Sequence, residues 1–337
     1  MRTEIIKINK NNRKKVLKKS AEVIKKGGLV VFPTETVYGL GANALDEKAL
    51  KKIFKAKGRP SDNPIIVHIG EKKQLADLVE NISPDHKKLM NAFWPGPLSI
   101  IFKKKDNISD ILSGGLPTIA VRMPANKVAK DLIKYSGVPI AAPSANISGR
   151  PSGTKGEHIY DELKGKVSVI IESGFSDIGL ESTVVKVEKG KVLILRPGKI
   201  TKEMLGKVLG PRSVSLATRK KDLKSSPGTR YRHYAPEALL EILSGKNKML
   251  EKGLNLKKKG KKVGIITVTE DKKYFNKFLP DVFVIGGRNN LKEISKNLYH
   301  ALRFFDTRAI DMILCPSFTE KGLGMAIMDR LKRASKK

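Results

Sequence analysis

Short apolar runs alternate with amphipathic segments along almost the whole chain, and this alternation restricts the fold to the α/β class. Residues 11–26 carry Val16, Leu17, Ala21, Val23 and Ile24 at helical spacing, and Gly27-Gly28 ends the pattern. A buried strand is expected at 29–32, a helix at 47–57 and a strand at 64–69. Helices follow at 72–79 and 84–93, strands at 98–102 and 118–122, a helix at 127–136, and strands at 139–142 and 167–172. Two more runs, 183–187 and 192–195, flank Glu188-Lys189-Gly190-Lys191 and read as a hairpin, so the sheet is expected to be mixed. Apolar periodicity fades over 211–236, where Arg, Lys, Ser, Pro and Gly dominate; so long a connection suits a functional lid or clamp. A second series then begins, with strands at 239–243, 262–268, 282–285 and 310–315, helical patterns between them, and a last helix at 324–333. That rhythm predicts a small parallel sheet of the doubly wound type. The expected organisation is a mixed-sheet domain at 1–210, a linker or lid at 211–236 and a parallel α/β domain at 237–337.

Composition narrows the functional classes. The apolar runs fall far short of the roughly 20 residues of a membrane helix, and the first residues lack the apolar core of a secretion signal. One cysteine, Cys315, excludes an internal disulfide framework and a multi-cysteine metal site; following an apolar run, it reads as a buried structural thiol. These features predict a cytoplasmic protein. Lys and Arg number 67 against 33 Asp and Glu, a formal charge of +34, which attracts phosphates and nucleic acids over long range. The lysines come as scattered pairs rather than as a patch interleaved with aromatics, so charge alone leaves open a general lysine bias and an RNA-facing surface.

Familiar catalytic motifs are missing. Every Gly-Lys pair is followed by Val, Ile, Asn or Lys, so there is no P-loop; no Gly-x-Gly-x-x-Gly, His-Glu-x-x-His or Gly-x-Ser-x-Gly is present either. Five scattered histidines and one thiol argue against a covalent nucleophile and for catalysis by positioning and electrostatic stabilisation.

Several polar, Gly- and Pro-rich segments lie at strand or helix ends, where α/β folds place ligands. Thr34-Glu35-Thr36-Val37-Tyr38-Gly39-Leu40 follows the strand at 29–32. Lys57-Gly58-Arg59-Pro60 leaves a helix; its two cations flank a glycine and fit a phosphate cradle, or equally a basic helix C-terminus favoured by the macrodipole. Ser144-Ala145-Asn146 offers hydroxyl and amide groups to phosphate or adenine, and fits an ordinary Asx-turn loop as well. Together with Asn63-Pro64, Trp94-Pro95-Gly96-Pro97 and Glu181-Ser182-Thr183, in this order, these segments resemble the YrdC-type threonylcarbamoyl-AMP synthase family. The run Ser226-Pro227-Gly228-Thr229-Arg230-Tyr231-Arg232-His233-Tyr234-Ala235-Pro236 resembles its longer, two-domain form, with Thr229 and Arg230 replacing an apolar residue and a lysine.

The resemblance implies an adenylyl-transferring enzyme with a YrdC-like catalytic domain and a Rossmann-like C-terminal domain. Such enzymes condense L-threonine, bicarbonate or CO2, and ATP with Mg2+ into threonylcarbamoyl-AMP and pyrophosphate, for modification of a tRNA adenosine next to the anticodon by a downstream transferase. By the same resemblance Thr36, His68, Arg122, Ala142 and Ser182 line the threonine site. Lys57, Arg59, Asn63, Thr118, Ser144, Asn146, Ser152, Arg196 and Tyr231 line the nucleotide site, with Lys57 and Arg59 catalytic. Arg122 suits a bidentate carboxylate clamp. Read alone, His68 in an apolar strand fits a satisfied core histidine, and Arg122 before Met123-Pro124 an ordinary surface arginine. Glu35 and Asp62 are candidates for a metal-holding or orienting role, and Tyr231 with Arg232 for the lid. The rival readings are an RNA-binding accessory protein and a hydrogenase-maturation carbamoyltransferase; the latter carries cysteine-rich modules that this chain lacks.

Overall fold

The computed structural model describes residues 2–188, 190–223, 225–226 and 233–335. They form two compact units, each built on its own sheet.

In the larger unit the strands are β1 (Glu4–Lys7), β2 (Val30–Phe32), β3 (Gly39–Asn43), β4 (Val67–His68), β5 (Leu98–Lys103), β6 (Thr118–Arg122), β7 (Ile140–Ala141), β8 (Val169–Glu172), β9 (Thr183–Glu188), β10 (Lys191–Arg196) and β11 (Val214–Leu216). They make one eleven-stranded sheet in the order β1-β8-β2-β3-β7-β4-β6-β5-β9-β10-β11. Parallel pairs such as β1–β8 and β5–β9 alternate with antiparallel ones such as β2–β3, β5–β6 and β9–β10. The sheet is therefore mixed, and the expected hairpin is present. Both faces are buried, as period-two strands between helical layers require. Val31 joins a cluster with Leu40, Leu50, Ile53, Val67, Leu98, Ile100 and Val121. Its neighbours Val30 and Phe32 join the opposite cluster, with Leu17, Ile24, Leu132 and Ile133 of the helices Arg13–Lys25 and Lys127–Ser136.

The helix Glu47–Lys57 shows how local chemistry delivers a site residue. Asp46 caps its N-terminus, accepting from Lys48 N at 2.8 Å and Ala49 N at 3.2 Å. Ala49, Leu50, Ile53, Phe54 and Ala56 form its buried face, and Gly58 ends it at φ 58°, in the left-handed region. The last helical side chain, Lys57, is thereby turned inward.

The smaller unit also contains Gly149–Pro151 and Ile178–Leu180. Its strands β12 (Leu239–Leu243), β13 (Val263–Val268), β14 (Val282–Gly286) and β15 (Met312–Pro316) pair in the order β12-β15-β13-β14, all parallel. Met249, Ile265, Phe275 and Leu314 are part of its core, and the helix Leu291–Asp306 buries Ile294, Leu298, Leu302 and Phe305. The Rossmann-like parallel arrangement expected for this region is the one found.

Several boundaries differ from expectation. Of 64–69 only Val67–His68 enters the ladder, and 72–79 is a 3-10 turn over Lys72–Asp77 rather than a full helix. Strands β1, β3 and β11 and the helices Gly156–Leu163 and Lys202–Leu209 are additions. The β3 sequence Gly-Leu-Gly-Ala-Asn has no β-branched residue, yet no larger side chain fits: a Cβ on Gly41 would lie 2.7 Å from Phe32 Cε1 and 2.9 Å from Ile140 Cγ2. If the Asp46 cap fixes the Lys57 helix, Asp46→Ala lowers stability by about 1 kcal/mol while leaving far-UV circular dichroism unchanged. An unaltered thermal midpoint counts against that role.

Candidate active site

A polar row crosses the middle of the apolar sheet. Ser99 of β5 pairs in register with Arg122 of β6, Arg122 with His68 of β4, and His68 with Ile140 of β7. Residues opposite one another on paired strands share a face, so Ser99, Arg122 and His68 are side-by-side neighbours.

Arg122 is 3% exposed, and a guanidinium is expensive to bury unless it is paired and hydrogen-bonded. Its Nε donates to Gly96 O at 3.2 Å, its Nη1 donates to Thr36 Oγ1 at 2.8 Å, and its Nη2 lies 2.6 Å from Glu35 Oε1. Glu35 is held in turn by Ala125 N at 3.1 Å and Asn126 N at 3.2 Å. Burial alone would raise the Glu35 carboxyl, but the Arg122 charge and the Ala125 amide outweigh it and keep it below the usual carboxylate range. Of the two acidic candidates, buried Glu35 has the contacts of an orienting group, whereas Asp62 is exposed. His68 is buried edge-on to Phe32, with ring centroids 6.2 Å apart, and its Nδ1 has no hydrogen-bond partner among the described residues. Burial, reinforced by the nearby Arg122 charge, pulls its pKa down to about 3, so the imidazole is neutral near pH 7.

On the far side of Arg122, Ser99 Oγ lies 2.8 Å from Ser182 Oγ. Arg196 reaches the same residue: Nε and Nη2 donate to Ser182 O at 3.1 and 3.0 Å, and Nη2 to Ser182 Oγ at 3.2 Å. Next in sequence, Glu181 accepts from Ser152 Oγ at 2.5 Å. Ala142 donates its backbone N–H to Ile66 O at 3.0 Å, two residues before His68.

The second group surrounds Lys57, which is 1% exposed. Its ammonium donates to Ser144 O at 2.5 Å and to Asn146 O, and its own carbonyl accepts from Ser148 N at 2.9 Å. Ser144 Oγ donates to Asn146 Oδ1 at 2.6 Å. Arg59 donates to Asn63 O at 3.3 Å and to Pro64 O at 2.8 Å, closing the turn that leads into β4.

Thr36, Arg122, His68 and Ser182 are thus joined by pairing or hydrogen bonds, as are Lys57, Ser144 and Asn146. Arg59 and Asn63 form one turn, and Ser152 and Arg196 meet the Glu181-Ser182 segment. Thr118 opens β6 opposite Lys103, roughly 13 Å of strand away from Arg122. Tyr231 and Arg232 lie outside the described residues. Sequence reasoning missed Ser99, and it named Thr34 and Glu181 only as members of motifs, without a role in the site. Ser99 carried a signal, as the polar member of the otherwise apolar 98–102 run.

Fold and site define a YrdC-type mixed-sheet domain with two polar clusters, joined in sequence to a small parallel α/β domain. A family model described as "Telomere recombination" (Sua5, YciO and YrdC) matches residues 22–198, and one described as "Threonylcarbamoyl-AMP synthase, C-terminal domain" matches 200–336. A threonylcarbamoyl-AMP synthase from Pyrococcus abyssi is 43% identical, covering 99% of this chain and 98% of its own length; one from Bacillus subtilis is 44% identical, covering 94% and 92%. The crystal structure of Pyrococcus abyssi Sua5 complexed with L-threonine superposes with a TM-score of 0.90 at 41% identity, covering 99% of this chain and 98% of that one. The chain belongs to the threonylcarbamoyl-AMP synthase family, in its two-domain form.

The buried His68 and Glu35 predict acid sensitivity of the fold. Unfolded His68 binds a proton below about pH 6.5, whereas the folded one resists protonation down to about 3. Stability therefore falls as pH drops through that window, by up to about 1.4 kcal/mol per pH unit for one proton. Glu35 adds to the loss at lower pH, since its contribution is present above its unfolded pKa and vanishes as pH falls through the folded one. Denaturant midpoints measured from pH 7 to 4 should decline, and less steeply in His68→Gln above pH 4.5. Parallel slopes overturn the assignment.

Proposed function

We propose that the Arg122 cluster binds L-threonine and the Lys57 cluster binds MgATP, for synthesis of threonylcarbamoyl-AMP and pyrophosphate with bicarbonate or CO2 as the carbon source. The observation that carries this reading is the buried Arg122, held on three sides beside Thr36 and a neutral His68 whose Nδ1 has no hydrogen-bond partner among the described residues. A guanidinium has five N–H donors; those not engaged by Gly96, Thr36 and Glu35 suit a bidentate carboxylate. Thr36, His68, Ala142 and Ser182 complete the amino-acid pocket, and His68 Nδ1 gives it an uncharged polar atom.

For the nucleotide, Lys57 shapes the Ser144–Asn146 loop, and Arg59 shapes the turn at Asn63. Both place buried positive charge near the expected path of the phosphates, with Thr118, Ser152 and Arg196 as further contacts. The threonine nitrogen captures CO2 and loses a proton. A carbamate oxygen then attacks the α-phosphorus, and the bond to the bridging oxygen breaks to release pyrophosphate. Fixed cations in a water-poor site stabilise the charge that develops on the phosphoryl oxygens. Mg2+ enters with ATP on the phosphate oxygens, the usual mode for this ion; among the described residues no group of three or more His, Cys, Asp or Glu could hold a metal. The catalytic domain is read as 1–210, 211–236 as a connection whose β11 adds an edge strand to the catalytic sheet and whose Tyr231 would cover the adenylate, and 237–337 as the C-terminal domain. No helix among the described residues is long and apolar enough to cross a membrane, and the reading places the enzyme in the cytoplasm, upstream of a tRNA-modifying transferase.

With ATP, Mg2+ and bicarbonate, pyrophosphate release should require L-threonine and be much slower with L-serine or no amino acid. Arg122→Lys, which loses the planar fork, should raise KM for threonine at least tenfold and leave KM for ATP unchanged. Equal threonine KM values count against the clamp. Tyr231→Ala should shorten the lifetime of the adenylate product; unchanged product lifetime and ATP affinity remove the lid.

A further inference from the structure

The hydrogen bonds around Thr34 dictate which way the protons point in the Arg122 cluster. Thr34 Oγ1 lies 2.6 Å from Val37 O, a carbonyl that can only accept, so the single hydroxyl proton of Thr34 goes there. Thr34 Oγ1 can then only accept from its other neighbours. One is the backbone N–H of Thr36 at 3.2 Å; the other is the Thr36 hydroxyl at 2.8 Å, which must therefore be the donor. Arg122 Nη1, 2.8 Å from Thr36 Oγ1, has no acceptor capacity and donates as well. The proton chain runs from Arg122 to Thr36, from Thr36 to Thr34, and from Thr34 to Val37 O. Thr36 has thus committed its proton to Thr34 and one lone pair to Arg122. Its remaining capacity is one lone pair, an acceptor. Thr34 is 2% and Thr36 1% exposed, so bulk water does not readily scramble this order.

We propose that Thr34 is a positioning residue for the amino-acid substrate, holding Thr36 as a hydrogen-bond acceptor for the substrate's α-nitrogen. The inference rests on the reading of Arg122 and Thr36 as part of the threonine site. Carboxylate and nitrogen share one carbon in an α-amino acid, so an acceptor bonded to the carboxylate-clamping guanidinium faces an N–H. A pose that turned a carboxylate oxygen toward Thr36 would set acceptor against acceptor. The nitrogen retains one N–H after it captures CO2, so the same contact orients both the free amino acid and its carbamate. Thr34 touches no substrate in this scheme; it acts through the proton it takes from Thr36.

Thr34→Val keeps the β-branched shape and removes the hydroxyl, freeing the Thr36 proton to rotate. The measurement is steady-state pyrophosphate release with L-threonine and with L-2-aminobutyrate, which has the carboxylate and nitrogen but no hydroxyl. Expected in Thr34→Val is a rise of about tenfold in KM for both amino acids, with KM for ATP unchanged and recovery in Thr34→Ser. A wild-type threonine KM in Thr34→Val overturns the proposal. So does a rise in KM for ATP of the same size without recovery by serine, which would mark a general structural role. A penalty seen with threonine and absent with 2-aminobutyrate overturns the nitrogen assignment. Absence of threonine-dependent pyrophosphate release in the wild-type protein would instead sink the underlying reading of the site.

Discussion

An arginine in the interior of a β-sheet needs partners for its charge and its N–H groups, and the demands of Arg122 organise the centre of this molecule. Solvent cannot reach the guanidinium, so each contact must come from the chain: a carbonyl from Gly96, a hydroxyl from Thr36 and a carboxylate from Glu35. The loop from Thr34 to Tyr38 can reach Arg122 because β2 and β3 are paired tightly across it, and that pairing in turn needs Gly39 and Gly41 against Phe32. Glu35 is held by two amides at the start of the helix Lys127–Ser136, which packs on the opposite face of the sheet from Leu50 and Ile53. One buried cation thus ties a loop, two strands and a flanking helix into a single arrangement.

Lys57 repeats the solution with different chemistry. An ammonium has three donors in a compact head, and here it gathers the carbonyls of Ser144 and Asn146 rather than a carboxylate. The Arg122 guanidinium is met by the Glu35 carboxylate, whereas the Lys57 ammonium lies against two backbone carbonyls. Ser182 connects toward Arg122 through Ser99 and toward Arg196 directly, so it stands between the surroundings of both arginines.

Much of this was legible in the sequence. Alternation of apolar runs gave the mixed sheet and the parallel C-terminal sheet, because strands buried on both faces read as continuous apolar stretches. The motif order gave the family, and with it residues that the fold brings together: Thr36 with Arg122, and Lys57 with Ser144 and Asn146. What stayed hidden depends on three-dimensional proximity. Glu35 was noticed as an acidic residue, but its partner lies 87 positions away and no local pattern announces the pair. Ser152 and Glu181 likewise meet across a long stretch of chain. Strand β3 was invisible because its glycines, poor strand formers, are required by the ring of Phe32 rather than by the strand itself.

Burial of these cations divides the electrostatics of the protein into two regimes. The excess of 34 positive charges is carried largely by lysines at the surface, and at physiological ionic strength mobile ions screen such a field within about 8 Å. Arg122, Lys57, Arg59 and Arg196 lie behind protein, where those ions do not penetrate. Rising ionic strength would therefore dim the far field around the molecule and leave almost untouched the near field in its interior.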